Sequence, residues 1–286
     1  MIVIRRILFP VDFSMVSEHA IGNCIPKFFS TGVAEELVLI HVIDTTALPN
    51  IMDEYRKEVR EKLENVAKEF RDMGINVVKT LVRLGTPAIE IAKAADEENV
   101  DLIYMPSKGE NLLRHMIIGT TASNVARVAR KPVLLVKYEW DKAKKSVKCF
   151  WDARRVFEKP LIALGLGTCS GHIIDTVKAL FEDYIKEATL LHVVDYGKHD
   201  EVEKNVEKAM EQLKCLAKQF KFECDIEVSA GIASEEIIQE AVVRGATLIV
   251  IGKKSKSRLK ELLMGSTAET VVRNSVLPVL LVPCTH

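Results

Sequence analysis

The chain has 286 residues, enough for two domains of ordinary size, each with its own core. Apolar residues make up 48% and charged residues 28%, the balance of a folded chain and not of a disordered one. Lys plus Arg equals Asp plus Glu, 40 against 40, so no global field recruits nucleic acid or an anionic membrane.

The N-terminus, Met1-Ile2-Val3-Ile4-Arg5-Arg6, runs straight into an expected strand and lacks the layout of a signal peptide. No apolar run approaches the ~18 residues of a membrane span. A cytosolic protein is the expectation. Six cysteines, at 24, 149, 169, 215, 224 and 284, include no C-x-x-C pair, so neither a zinc site nor a redox motif is read, and free, mostly buried thiols are expected.

In chain order, short runs rich in Ile, Leu and Val predict strands at 4–9, 37–43, 76–82, 101–105 and 132–136. Helical periodicity predicts helices over 15–29, 53–72, 86–98 and 119–130, with Val59, Leu63, Val66, Ala67 and Phe70 on one face and Thr86-Pro87 as a start signal. Tyr138 to Lys159 differs in character. It carries seven basic and four acidic residues and both tryptophans, and Val147, Phe150, Trp151 and Arg154 suggest a partly helical linker.

The pattern then starts again. Residues 99–137 align without a gap on 245–283, with 14 of 39 positions identical, including Gly119/Gly265 and Thr121/Thr267. Ile40-His41-Val42-Ile43-Asp44 returns as Leu191-His192-Val193-Val194-Asp195. Ile7 to Asp12 aligns more loosely with Leu161 to Leu166. The chain is a duplicated domain, expected over 1–137 and 160–286 with the linker at 138–159. Strand-helix alternation makes each copy a doubly wound, parallel α/β sheet of about five strands.

Ligands of such sheets bind beyond the C-terminal strand ends, near the switch in strand order. There the first copy has Pro10-Val11-Asp12-Phe13-Ser14 and Pro106-Ser107-Lys108-Gly109, and Gly119-Thr120 opens its last helix. N–H groups at a helix start suit phosphate, and a carboxylate after the first strand suits ribose hydroxyls. The bland alternatives are that Asp12 is a cap or turn residue, that Gly119 and Gly265 allow tight packing, and that Thr120 and Ser266 are plain caps. His41 and His192 lack neighbouring ligands in sequence and are read as structural.

Ile7 to Ser14, Ile40 to Asp44, and a Gly-x2-Gly-x9-Gly-Ser/Thr loop together resemble the universal stress protein family, over nearly all of both copies. The resemblance implies an adenine nucleotide alpha hydrolase-like fold, ATP or AMP binding (Mg2+ accompanying ATP), a stress-related regulatory role read by a protein partner, and pairing of domains through the last strands, 133–136 and 279–282, within one chain or between two. Carried over, Asp12 would grip ribose, Pro10, Val11 and Val42 would frame adenine, and Gly109, Gly119 and Thr120 would face phosphates. In the second copy Val193, Gly252, Gly265 and Ser266 match.

Departures stand at Pro106, which has no N–H, at Ser255, and at Leu166 in place of the aspartate. Losing the charged ribose bond would cost ~1.5–3 kcal/mol, roughly ten- to hundredfold. The first copy is therefore read as the better site. The second retains Gly165-Leu166-Gly167-Thr168 and a basic loop, Lys253, Lys254, Lys256 and Arg258, that would attract phosphate.

No G-x-x-x-x-G-K-[ST], G-x-G-x-x-G or G-x-S-x-G motif is present, and Cys169 has no evident base beside it, so no catalytic or metal-binding residue is assigned. Three readings remain: a nucleotide-responsive binding protein, a weak ATPase, and a degenerate pair acting as a scaffold.

Overall fold

A computed structural model describes residues 4–45, 53–107, 118–141, 146–149, 151–194, 202–254 and 264–284. The chain divides into two compact units, one made of residues 3–154 and the other mainly of 155–286. Among the described residues, no helix is long and apolar enough to cross a membrane.

The first unit holds strands β1 (Ile4–Pro10), β2 (Ala34–Asp44), β3 (Asn76–Gly85), β4 (Leu102–Pro106) and β5 (Val133–Val136), parallel in the order β5-β4-β1-β2-β3. The chain runs outward from β1 to β3 and then returns to the other side of β1. The switch point of a doubly wound sheet therefore lies between β1 and β4. All four residues of β5 and the first four of β4 are buried, as expected of strands covered on both faces.

The helices are α1 (Met15–His19), α2 (Ile25–Phe29), α3 (Asp53–Asp72), α4 (Pro87–Glu97) and α5 (Thr120–Val128). Val59, Leu63, Ala67 and Phe70 form the buried stripe of α3. Phe70 meets Phe9 of β1 edge to face with centroids 6.5 Å apart, and Phe9 meets Tyr104 of β4 in the same way at 6.0 Å. Fully burying one such ring contributes about 1.5–3 kcal/mol. Gly74 ends α3 at φ +83, a left-handed position that favours glycine. Pro87 occupies the first turn of α4, where its missing N–H costs nothing.

One irregularity separates α1 from α2. Ala20–Cys24 form a π-helical turn, and the Ile25 N–H donates to the Ala20 carbonyl five residues back.

The segment after β5 does not make the expected helix. Glu139–Asp141 (β6) and Ser146–Lys148 (β7) pair as an antiparallel hairpin, with Trp140 opposite Val147. Trp151 donates its indole N–H to the Lys137 carbonyl at 2.9 Å, which ties the returning chain to the end of β5. Phe150 lies outside the described residues.

The second unit repeats the plan with β8 (Pro160–Ala163), β9 (Ala188–Val194), β10 (Cys224–Ala230), β11 (Leu248–Lys254) and β12 (Val279–Cys284), parallel in the order β10-β9-β8-β11-β12. Its helices are α6 (Thr168–Leu180), α7 (Val202–Ala217), α8 (Ala233–Val243) and α9 (Ser266–Asn274).

Cys24, Cys149, Cys215 and Cys224 are free, as expected, whereas one pair departs from the expectation of free thiols. Cys169 and Cys284 are disulfide-bonded with Cα atoms 5.2 Å apart, and the Cys24 and Cys149 sulfurs lie 2.7 Å apart.

Candidate functional site

At the switch point of the first unit, β1 ends in Pro10 and its backbone keeps one more sheet-like bond, the Val11 N–H to the Ile40 carbonyl at 2.8 Å. The chain then turns sharply. Phe13 takes the left-handed conformation at φ 58, where a side chain is disfavoured, and Ser14 caps α1.

Asp12 organises this turn. Its Oδ1 accepts from the Ser14 N–H at 3.0 Å, the Ser14 hydroxyl at 2.6 Å and the Ser17 hydroxyl at 2.6 Å. The Asp12 N–H donates to the Ser17 oxygen at 3.2 Å. These three bonds converge on one carboxylate oxygen and fix the group in a single orientation, with its other oxygen outside this network.

His41 supports the turn from β2. A carbonyl can only accept, so the His41 Nδ1–H donates to the Val11 carbonyl at 2.7 Å, and the ring stacks on Phe13 with centroids 4.7 Å apart. Burial lowers the imidazole pKa below its ordinary value, opposed by the Val11 bond and the Asp12 charge. The neutral ring with Nδ1 protonated fits both facts.

On the other side, β4 ends at Pro106, and the Gly119 N–H donates to the Ser107 carbonyl at 2.7 Å. Gly119 is the N-cap of α5 and has extended backbone. The N–H groups of the first turn of α5 have no partner inside the helix. Pro10, Val11, Asp12, Val42, Gly119 and Thr120 all border one cavity of about 360 Å3, a size suited to a small ligand. A fixed carboxylate and the positive end of a helix thus border the same cavity. Gly109 falls outside the described residues.

The second unit has an equivalent cavity of about 500 Å3, bordered by Val193, Gly252, Gly265 and Ser266. Gly265 caps α9 as Gly119 caps α5. His192 repeats the support, its Nδ1 lying 2.7 Å from the Leu164 carbonyl. The Leu164 N–H bonds the Leu191 carbonyl at 2.8 Å, as Val11 bonds Ile40.

These bonds correct the sequence alignment by one residue. Leu164 is the counterpart of Val11, so Gly165 stands where Asp12 stands. Leu166 is the counterpart of Phe13 and shares its left-handed backbone, at φ 53 against φ 58. The aspartate is replaced by glycine, not leucine.

Packing adds a demand at one glycine, and two further readings change. Gly252 is required by packing: a Cβ there would collide with Cys169 Sγ and lie 2.9 Å from Cys284 Sγ. Cys169, read as a free thiol without a base, is held in that disulfide. Lys253 is not a loop cation. It sits in β11 opposite Pro283 with 4% of its surface exposed, and burial lowers its ammonium pKa to about 8. Lys256, Arg258 and Ser255 lie outside the described residues.

Sequence reasoning missed Ser17, which presents no motif but completes the Asp12 network. It also missed that His19, Cys24 and Cys149 come together, their ligand atoms all within 4.8 Å of one another. No spacing rule joins residues 125 positions apart.

A family model for the universal stress protein family matches residues 4–137 and again 157–283. A universal stress protein of Methanocaldococcus jannaschii is 35% identical over 156 residues, covering 46% of this chain and 94% of its own length. One of Bacillus subtilis is 28% identical over 149 residues, covering 46% of this chain and 99% of its own. Among solved structures, a universal stress protein from Archaeoglobus fulgidus has a TM-score of 0.74 at 23% identity and covers 98% of both chains, which speaks to the fold. The relatives of single-domain length and the doubled match have one reading: the chain belongs to the universal stress protein family, as a tandem, two-domain member.

Proposed function

We propose that this chain is a cytosolic adenine-nucleotide sensor whose better site is the cavity of the first unit. Asp12 receives the ribose hydroxyls. Pro10, Val11 and Val42 flank the adenine, and the first turn of α5, from Gly119 and Thr120, faces the phosphates of ATP or AMP, with Mg2+ accompanying ATP. Occupancy of the site is read by a protein partner in the stress response.

The observation that carries this reading is the Asp12 carboxylate. Three bonds hold one oxygen, and the group shares a cavity with a helix N-terminus. That polarity matches a ligand with hydroxyl donors at one end and anionic oxygens at the other. The Ser17 hydroxyl and the His41 ring that border the cavity are engaged in holding Asp12 and the Val11 carbonyl, and binding is the function assigned.

The second unit favours a different reading. Gly165 offers no carboxylate, and its cavity is bordered by Ile173, Leu191, Ile237 and Met264. We assign this unit weak nucleotide binding at most and a scaffolding role.

Calorimetric titration of ATP and AMP into the wild type and Asp12→Ala tests the proposal. Binding should weaken about ten- to hundredfold in the variant. Equal affinity in both proteins removes Asp12 from the site. Absence of binding in the wild type leaves the scaffold reading, and ATP turnover under excess ATP would replace sensing with catalysis.

A further inference from the structure

Away from both cavities, the first unit gathers three metal-ligand side chains. His19 ends α1, Cys24 ends the π-helical turn, and Cys149 follows β7 of the hairpin. Their ligand atoms lie within 4.8 Å of one another. Cys24 is buried, with 3% of its surface exposed, and the other two are half-buried.

We propose that His19, Cys24 and Cys149 bind a thiophilic divalent cation of the zinc class, with a fourth coordination position open to water or another ligand.

The geometry comes first. At Zn–S of about 2.3 Å and Zn–N of about 2.0 Å, tetrahedral coordination separates thiolate from imidazole nitrogen by about 3.6 Å and thiolate from thiolate by about 3.8 Å. Cys149 Sγ lies 3.6 Å from His19 Nε2, the edge such a site requires. The Cys24–Cys149 separation of 2.7 Å must open by about 1 Å. Cys149, half-buried and on the hairpin, is the ligand less confined by packing than the buried Cys24.

Residues five apart on an α-helix point about 140° away from each other at 3.6 residues per turn. His19 and Cys24 have that spacing, and a regular helix would not bring them to one ligand. The widened turn, closed by the Ile25 to Ala20 bond, brings the two closer to a common face. Such turns cost helix regularity and concentrate at functional sites.

Two thiolates balance a divalent cation, so the bound centre adds no net charge to a site that buries Cys24. The His19 ring packs edge to face on Tyr138 with centroids 5.9 Å apart, which orients its Nε2 toward Cys149. Binding would clamp the hairpin that follows β5 onto the first helical segment, adding to the Trp151 bond to Lys137.

The test uses the full chain, freed of metal with a chelator and kept reduced, titrated with Co2+ as a spectroscopic probe and then with Zn2+ against a chromophoric chelator. One equivalent of Co2+ should give thiolate-to-cobalt charge transfer and the ligand-field bands of a four-coordinate centre, both displaced by Zn2+. Cys149→Ser and Cys24→Ser should abolish the thiolate band, and His19→Ala should weaken Zn2+ affinity at least tenfold. Cys215→Ser, at an exposed and separate thiol, should change nothing. If Cys24→Ser fails to fold, Cys149→Ser on the hairpin decides. The proposal is overturned if no thiolate band forms, if the band survives in Cys149→Ser, or if mass spectrometry finds Cys24 and Cys149 joined as a disulfide in the reduced preparation.

Discussion

Ser17 donates its hydroxyl to Asp12 Oδ1 at 2.6 Å and receives the Asp12 N–H on the same oxygen at 3.2 Å. Its counterpart in the second unit, one helical turn into α6, is Ser170. With Gly165 in place of the aspartate, the Ser170 hydroxyl is buried and finds no hydrogen-bond partner among the described residues. The duplication kept the serine and lost what it served.

The same substitution should therefore act in opposite directions in the two units. Ser17→Ala removes a charge-assisted bond and should destabilise the first unit by about 1–2 kcal/mol. Ser170→Ala removes an orphaned hydroxyl and should be neutral or stabilise by up to about 1 kcal/mol. Chemical denaturation of both variants checks the pair. Equal destabilisation would mean that Ser170 has a partner, such as a buried water.

His41 sets a pH dependence. Burial lowers its pKa from the ordinary 6.5, so the folded chain resists protonation there. Between the lowered folded value and 6.5 the unfolded state binds more protons, so this contribution to stability rises with pH and is lost as pH falls through that window. His19 is lowered by its own burial and contributes with the same sign, so the test is a difference. His41→Gln should cost about 1 kcal/mol near neutrality through the Val11 bond. It should also lose less stability than the wild type on acidification. Parallel curves for the two proteins would show that His41 binds protons equally in the folded and unfolded states.

Element positions were largely legible because burial imposes a period. The expected helix over 53–72 is Asp53–Asp72, and its stripe is the one read from Val59, Leu63, Ala67 and Phe70. The expected strand at 132–136 is Val133–Val136. The linker was misread because three or four apolar residues at helical spacing also satisfy a hairpin. Val147 faces Trp140 across β6 and β7, a pairing that local spacing does not encode.

The alignment of Asp12 with Leu166 failed for a related reason. Apolar strands align almost equally well when shifted by one residue, and only the bonds from Val11 to Ile40 and from Leu164 to Leu191 fix the register. The cysteine pairs were beyond sequence reading because 115 and 125 residues separate their members. Gly252 borders the second cavity, and the sulfur atoms that an added Cβ would meet there leave no mark in the local sequence.

Gly252 and Gly265 should accordingly separate in experiment. A methyl group at 252 collides with Cys169 Sγ and approaches Cys284 Sγ to 2.9 Å, whereas one at 265 meets nothing within 4 Å. Gly252→Ala should cost about 1–3 kcal/mol, the range of overpacking in a filled core. Gly265→Ala should stay within about 0.5 kcal/mol of the wild type in stability. Thermal unfolding of the two variants decides. A stable Gly252→Ala would mean that the sulfur pair moves aside easily.

The strongest test of the site assignment is to rebuild it where it was lost. Gly165 occupies the Asp12 position, its backbone is not left-handed, and an added Cβ meets nothing within 4 Å. In an Asp12→Ala background, which weakens the first unit's site, Gly165→Asp should place a carboxylate beside the unpartnered Ser170 hydroxyl. That hydroxyl should hold the carboxylate as Ser17 holds Asp12. A charge-assisted bond to ribose of about 1.5 kcal/mol predicts roughly tenfold tighter ATP or AMP binding by the second unit. Gly165→Asn, which lacks the charge, should gain clearly less. Equal gains from the two substitutions would mean that filling space, and not ribose recognition, drives the effect. No gain from either would mean that the apolar wall of Ile173, Ile237 and Met264 excludes the nucleotide whatever stands at position 165.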